Sequence, residues 1–162
     1  PPREPIYIRL GRQPVEEEPT ASLPSTISYG YVCVSKNNSK IKLFSTGCIL
    51  PEVVKAQKIL LNEFSLPSSV YHFRELKPLP KLPGTPGDII FTIEDHTIMG
   101  GFGSAVAEQL SERKYPISVN RIGLRDVFPE SGPPSDLYRK YKLDAESIAK
   151  TIIKSITERS YS

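Results

Sequence analysis

Apolar positions along the chain switch repeatedly between a period of two and a period near 3.6, the mark of strands alternating with helices. Ile6, Ile8 and Leu10 alternate with Tyr7, Arg9 and Gly11 and predict a short strand. Residues 14–27 are acidic, dotted with proline and without period, which predicts a linker. From Tyr29 onward, YGYVCVSK and IKLFSTG flank Asn37-Asn38-Ser39. That pattern predicts a hairpin whose first strand lies antiparallel at a sheet edge. Pro51 stands where a first helical turn has no N–H to lose, and Val53, Gln57, Leu60, Leu61 and Phe64 keep helical spacing up to Leu66-Pro67. Val70 to Leu76 predicts a strand. Pro78, Pro80, Pro83 and Pro86 then crowd PLPKLPGTPG too densely for a helix and predict an extended crossover. Such a crossover leaves part of one sheet face less covered.

The pattern is densest over residues 88–110, DIIFTIEDHTIMGGFGSAVAEQL. Ile89, Ile90, Phe91 and Ile93 predict a buried strand, and Ala105, Val106, Ala107 and Leu110 the apolar face of a helix. Between them stand Glu94, Asp95 and His96, then Gly100, Gly101 and Gly103. Glycine is required where φ is positive or where strand and helix meet with no room for a Cβ. A dinucleotide-binding turn is one reading, but Val106 breaks the G-x-G-x-x-G spacing. A ligand-free crossover is another. The acidic pair with histidine could form an acid–base site at the carboxyl end of a central strand. Alternatively it caps the glycine turn or forms a subunit contact, and no nucleophile or metal set converges on it. Ser45-Thr46-Gly47 reads as turn chemistry, and Arg74, Lys77 and Lys81 as a solvated face.

Toward the end, Ile117 to Leu124 predicts the last strand. Ser135 is a candidate cap for a short helix, SDLYRKY, and Asp144 for a final helix striped by Ile148, Ile152, Ile153 and Ile156. The expected fold is three-layer α/β/α from about Ser28 onward, with a mixed, mostly parallel sheet of about five strands.

Composition narrows the function classes. At 38% hydrophobic, the chain has enough apolar content for a folded core, and no run approaches a membrane span. A net charge of +3 with both signs scattered shows no basic stripe for nucleic acid. Cys33 and Cys48, without C-x-x-C spacing, read as two buried reduced thiols of an intracellular protein. His72 and His96 are too few and too isolated for a metal site.

Several strings together resemble one family. IEDHTIMGGFGSAVAEQL, FSTGCILPEVVKAQKIL, ELKPLP and RIGLRDVFPESGPPSDLYRKYKLDAESIAKTI are similar to the carboxy-terminal domain of the transketolase superfamily of thiamine-diphosphate enzymes. The branches nearest in pattern are the transketolase carboxy-terminal section and deoxyxylulose-phosphate synthase, with the beta subunits of 2-oxo acid dehydrogenases more distant. The chain departs from the pattern at residues 78–88, where relatives place a helix. The resemblance implies that residues 1–13, with PIYIRLGR, are the last strand of an upstream pyrimidine-binding domain, followed by the linker and then the carboxy-terminal domain over 28–162. It implies a cytoplasmic transferase that moves two-carbon ketol units between phosphorylated sugars. Its thiamine diphosphate and Mg²⁺ are then held by regions absent here, because Gly87-Asp88-Ile89 is not the Gly-Asp-Gly motif that binds them. No catalytic residue is assigned within this stretch. The resemblance further implies companion thiamine-diphosphate-binding domains and a homodimer or two-chain assembly, with Glu94–His96 and the Gly100–Gly103 turn near a subunit contact. A non-catalytic assembly or ligand-binding module on the same fold is the alternative.

Arg12 continues the buried parity of Ile6, Ile8 and Leu10 just past the strand, where an unpaired arginine cannot stay buried. It either meets an anion or pairs in solvent with Glu16–Glu18. In the family, the arginine of strings like LGRQ contacts the substrate phosphate, which a planar guanidinium fork suits. Arg9, on the opposite parity, is the weaker candidate.

Overall fold

The computed structural model describes residues 30–160. The expected strand over Ile6–Leu10, the linker and Arg12 lie outside the described residues. Five strands form one mixed sheet in the order β1-β3-β2-β4-β5: β1 Tyr31–Ser35, β2 Ile41–Thr46, β3 Ser69–Phe73, β4 Ile89–Thr97 and β5 Ser118–Leu124. Only β1 runs antiparallel, pairing with β3 through Tyr31↔Phe73. The expected hairpin is therefore corrected. β1 and β2 follow one another in sequence, but β3 inserts between them, and parallel pairing of β3 with β2 takes the place of hairpin closure. The antiparallel edge assignment of β1 holds.

Period-two alternation sorts side chains to the two faces. Leu43, Val70, Phe91 and Ile93 pack with Val53, Ala56 and Leu60 of helix α1 (Leu50–Phe64). Ile148 and Ile152 of the terminal helix α4 (Ala145–Ser160) join the same cluster. Phe44, Tyr71, Phe73 and Ile90 face the other way, onto Phe102, Val106 and Leu110 of α2 (Phe102–Ser111). This gives helix, sheet and helix in three layers.

α1 starts with Pro51 in its first turn. It ends where Ser65 turns left-handed, with φ 54°, so that the Leu66 N–H reaches the Leu60 carbonyl. Leu61 and Phe64, which keep the helical spacing, lie half-exposed. Strand β3 stops at Phe73, short of the expected Leu76, because the Arg74 and Glu75 N–H groups both turn to the Gly30 carbonyl.

The proline-dense crossover has no helix, as expected, yet it covers its share of the sheet. Leu82 is buried among the α2-side core with Leu79 against it. Side chains of α2 and of the turn after it hold the crossover in place. The Gln109 side chain accepts from the Leu82 N–H and donates to the Pro80 carbonyl, and Arg113 donates to the Leu82 and Gly84 carbonyls. Hydrogen bonds from a helix to extended backbone thus do what helix packing does elsewhere.

The short helix α3 (Pro134–Lys140) begins at Pro134 with no side-chain cap, so the expected cap at Ser135 is corrected. Pro at the first helical position needs no acceptor for its missing N–H, which leaves Ser135 inside the turn. Asp144 does cap α4, its carboxylate accepting from the Ser147 N–H.

Candidate functional site: the carboxyl edge of the central strands

The helices after β2 and β4, neighbouring parallel strands, leave toward opposite faces of the sheet. Such a switch point opens a crevice at the carboxyl edge, where open α/β sheets place ligands. Glu94, Asp95 and His96 stand at that edge on β4. Period two sends the first two apart. Glu94 shares the parity of Ile90 and turns toward α2, while Asp95 shares the parity of Ile93 and turns toward the α1 side.

Glu94 is completely buried. One carboxylate oxygen accepts the Phe102 N–H at 2.7 Å and the other the Gly103 N–H at 2.9 Å. These are orphan donors of the first turn of α2, so a strand carboxylate caps a helix eight residues away in sequence. The first oxygen also meets His96 Nε2 at 2.7 Å.

Room for this comes from missing side chains. A Cβ on Gly101 would lie 2.3 Å from the Thr97 carbonyl and 2.4 Å from Glu94 Oε2. A Cβ on Gly103 would lie 2.4 Å from Thr92 Oγ1. Gly100 is glycine for a different reason, its φ of +66° in open space. The sequence-predicted residues thus divide into a carboxylate, its imidazole partner and two glycines that let the helix start sit on the carboxylate.

Asp95 accepts from the Tyr138 hydroxyl of α3 at 3.3 Å and lies 3.8 Å from His96 Nδ1. Its carboxyl is held below the usual range by His96, with Tyr138 helping. Burial, followed by the Asp95 charge, pushes the Tyr138 hydroxyl well up. His96 sits between Asp95 and Glu94, whose carboxylates raise it to about 9. It is therefore an imidazolium at neutral pH, with no lone pair to act as a base. Glu94, with three donors on a buried carboxylate, is equally committed. What the cluster can do is fix the glycine turn and present a cation at the sheet edge. The capping reading of this turn is the one the geometry favours.

Sequence reasoning missed four participants. Gly123 on β5 faces Glu94, and a Cβ there would meet Glu94 Cγ at 2.9 Å. A glycine inside a strand was its available signal. Thr92, Tyr138 and Arg121 carried no sequence signal. Arg121 donates to the Ile98 carbonyl and Ser104 Oγ, which ties β5 to the loop after β4.

On the α1 side, Ser45 Oγ and His72 Nδ1 lie 3.1 Å apart. Burial, then Arg74, lowers His72 to about 4, so it is neutral. Ser45 is fully buried, and Thr46 Oγ1 donates to the Phe73 carbonyl. Ser45 and Thr46 are therefore strand residues that bond across to β3, and only Gly47, with φ +70°, belongs to a turn. Arg74, Lys77 and Lys81 are exposed. The two thiols expected to be buried are corrected: Cys33 is half-buried and Cys48 exposed, because Cys48 falls in the 3₁₀ turn Gly47–Ile49 that leads outward to α1.

Comparison with known proteins agrees with the fold. Residues 30–148 match the family model described as Transketolase, C-terminal domain. The chain is 31% identical over 153 residues to the "Putative transketolase C-terminal section" of Methanocaldococcus jannaschii, which covers 94% of this chain and 48% of that protein. It is 34% identical over 158 residues to the 1-deoxy-D-xylulose-5-phosphate synthase of Caldanaerobacter subterraneus subsp. tengcongensis, covering 95% of this chain and 25% of the synthase. The chain thus spans about half the length of the first relative and a quarter of the second. Among solved structures, "Split gene transketolase, inactive beta4 tetramer" superposes with a TM-score of 0.65 at 32% identity, over 78% of this chain and 42% of that one. A transketolase mutant from Pichia stipitis superposes at a TM-score of 0.58 and 16% identity, over 79% of this chain and 18% of that one, a likeness of fold alone. The five-stranded mixed sheet, the strand–glycine–helix turn at its carboxyl edge and a family match covering most of the described domain agree, and the chain belongs to the transketolase C-terminal domain family.

Proposed function

We propose that this chain is the carboxy-terminal part of a transketolase-type enzyme that transfers two-carbon ketol units between phosphorylated sugars. The observation that carries this reading is the 31% identity, across 94% of the chain, to a protein named as a transketolase C-terminal section. Thiamine diphosphate, which supplies the electron sink for such chemistry, and its Mg²⁺ then belong to upstream or companion domains.

The described residues do not fit that cofactor. No group of His, Cys, Asp and Glu among them could hold a metal ion. Asp88, in the string nearest to a diphosphate motif, is buried and committed to the Thr85 N–H and Lys42. No catalytic step is therefore assigned to this domain.

Its own share is assembly. Closed two-fold symmetry is the commonest arrangement of oligomers. The Glu94–His96 and Gly100–Gly103 turn, made rigid by the buried carboxylate, is the segment placed near the subunit contact. The similar solved structure described as an "inactive beta4 tetramer" supports both self-association of such a chain and its inactivity alone. Arg12 is the residue assigned to the substrate phosphate, and the compartment is cytoplasmic.

Reconstitution with the companion cofactor-binding domains tests the reading. Ketol transfer is expected only from the combination, with this chain alone inactive and without saturable cofactor binding in calorimetry. Activity or micromolar cofactor binding by this chain alone would overturn it. The 34% identity to a 1-deoxy-D-xylulose-5-phosphate synthase supports that branch as the second reading. Formation of 1-deoxy-D-xylulose 5-phosphate, in place of ketol transfer, by the reconstituted enzyme would select it.

A further inference from the structure

Strand β5 is the edge of the sheet opposite β1, and among the described residues nothing pairs with its outer side. An open edge strand is a template for another extended segment. Beside it, between the carboxyl end of β5 and the start of α4, lies a cleft of about 340 Å³. Ile122, Leu143 and Val127 supply apolar wall, and Arg125, Lys140 and Lys142 supply positive charge. Lys140 already meets Glu130. Arg125 and Lys142 form no ion pair among the described residues, and no carboxylate lines the cleft.

The chain itself carries a segment of matching chemistry. Glu16-Glu17-Glu18 is its densest acidic run, bracketed by Pro14 and Pro19. The residue before a proline is turned away from helical geometry, which biases Glu18 toward an extended form, and repulsion among Glu16, Glu17 and Glu18 favours extension of the run. That form suits an open strand edge or a narrow groove.

The reach is sufficient. β1 is antiparallel, so its start at Tyr31 lies level with Phe73, at the same carboxyl edge where β5 ends. From β1 to β5 the sheet order counts four spacings, about 19 Å. From Glu18 to Gly30 the chain has twelve residues, which extend to about 40 Å.

We infer that the acidic segment Val15–Glu18 docks in the cationic cleft beside β5 of its own domain, its carboxylates on Arg125, Lys142 and Lys140. The docked segment shields the open edge and sets where the chain upstream of it enters the domain. A basic patch at Arg74, Lys77 and Lys81 lies nearer to Gly30, but those side chains are exposed and do not line the cleft.

Zero-length carbodiimide coupling of the 162-residue chain at low micromolar concentration, read by peptide mass spectrometry on the monomer fraction, tests this. The expected result is that Glu16–Glu18 couple mainly to Lys140 and Lys142. Those links should fall about fivefold in Arg125→Glu, the size of one lost surface charge contact, and again in about 0.5 M salt. A second measurement does not depend on lysine chemistry. In the variant with Glu16→Gln, Glu17→Gln and Glu18→Gln, amide exchange over Ile122–Leu124 should quicken severalfold while that of β2 stays unchanged. Coupling mainly to Lys77 or Lys81 would overturn the inference. So would coupling only in the dimer fraction, which assigns the cleft to a second copy, or unchanged exchange in β5.

Discussion

Two buried carboxylates flank one strand and are neutralised by different means. Asp88, just before β4, is 2% exposed, and Glu94, near its other end, is 0% exposed. Asp88 accepts the Thr85 N–H at 2.6 Å and meets Lys42 at 3.4 Å and Lys40 at 3.8 Å, while its Oδ1 accepts no hydrogen bond. Its partners are a local turn and the ends of long flexible side chains. Glu94 meets two fixed backbone N–H groups and an imidazolium drawn from its own strand, in a space kept open by Gly101, Gly103 and Gly123. Lys40, largely exposed, can swing to water when the carboxylate is lost. Backbone donors in the first turn of α2 cannot. The contrast implies that the carboxyl edge is held by preorganised dipoles and the amino edge by adaptable charges.

The contrast can be broken at Glu94 first. Glu94→Ala strands two buried N–H groups and a cation, and should cost about 3–5 kcal/mol in urea unfolding. A loss below that of the equivalent change at Asp88 would reverse the comparison. Gly103→Ala keeps the carboxylate but drives a methyl into Thr92 Oγ1, with Arg121 Cγ and Glu94 Oε1 each 2.9 Å from the new Cβ limiting relief. About 2–3 kcal/mol is expected, with the α2 amides the first to exchange. Asp88→Asn keeps an acceptor for Thr85 and frees the lysines, so about 1 kcal/mol is expected.

The pH dependence sharpens the same distinction. The folded state raises His96 from its ordinary value of 6.5 to about 9, so it favours the protonated form. The stabilisation is complete below about pH 6.5, fades as pH climbs toward 9 and is absent above it. Because the imidazole is 44% exposed, solvent screening limits the effect to no more than about 1 kcal/mol. Proton NMR should show His96 titrating near 9 and His72, neutralised by burial, near 4. An ordinary midpoint for His96 would remove the imidazolium from the account of this edge. Smallest of all, Glu146→Gln on α4 breaks a solvent-exposed pair with Lys150 and should change stability by no more than about 0.5 kcal/mol.

Hydrophobic period alone determined much of this protein. The buried strand at Ile89–Ile93, the helix over Ala105–Leu110, the isoleucine stripe of α4, the Asp144 cap and the helix-free crossover all follow from spacing and proline density. These features are set by neighbours within a few residues, which a sequence displays directly. The resemblance of whole strings carried the family in the same way. Tertiary structure decided what depends on partners far away in sequence. Asn37-Asn38-Ser39 reads as a hairpin turn because turn chemistry is local, yet β1 finds its partner about 40 residues on, in β3, whose other edge pairs in parallel with β2. Glu94, Asp95 and His96 looked like one cluster because they are consecutive, but a strand turns consecutive side chains to opposite faces. Only the packing of α2 showed that Glu94 caps a helix. Gly101, Gly103 and Gly123 are needed because the Glu94 side chain comes within 3 Å of each position where a Cβ would stand, joined by the Thr97 carbonyl at Gly101, Thr92 Oγ1 at Gly103 and the Ile98 side chain at Gly123, and such convergence exists only once the sheet and helix have met.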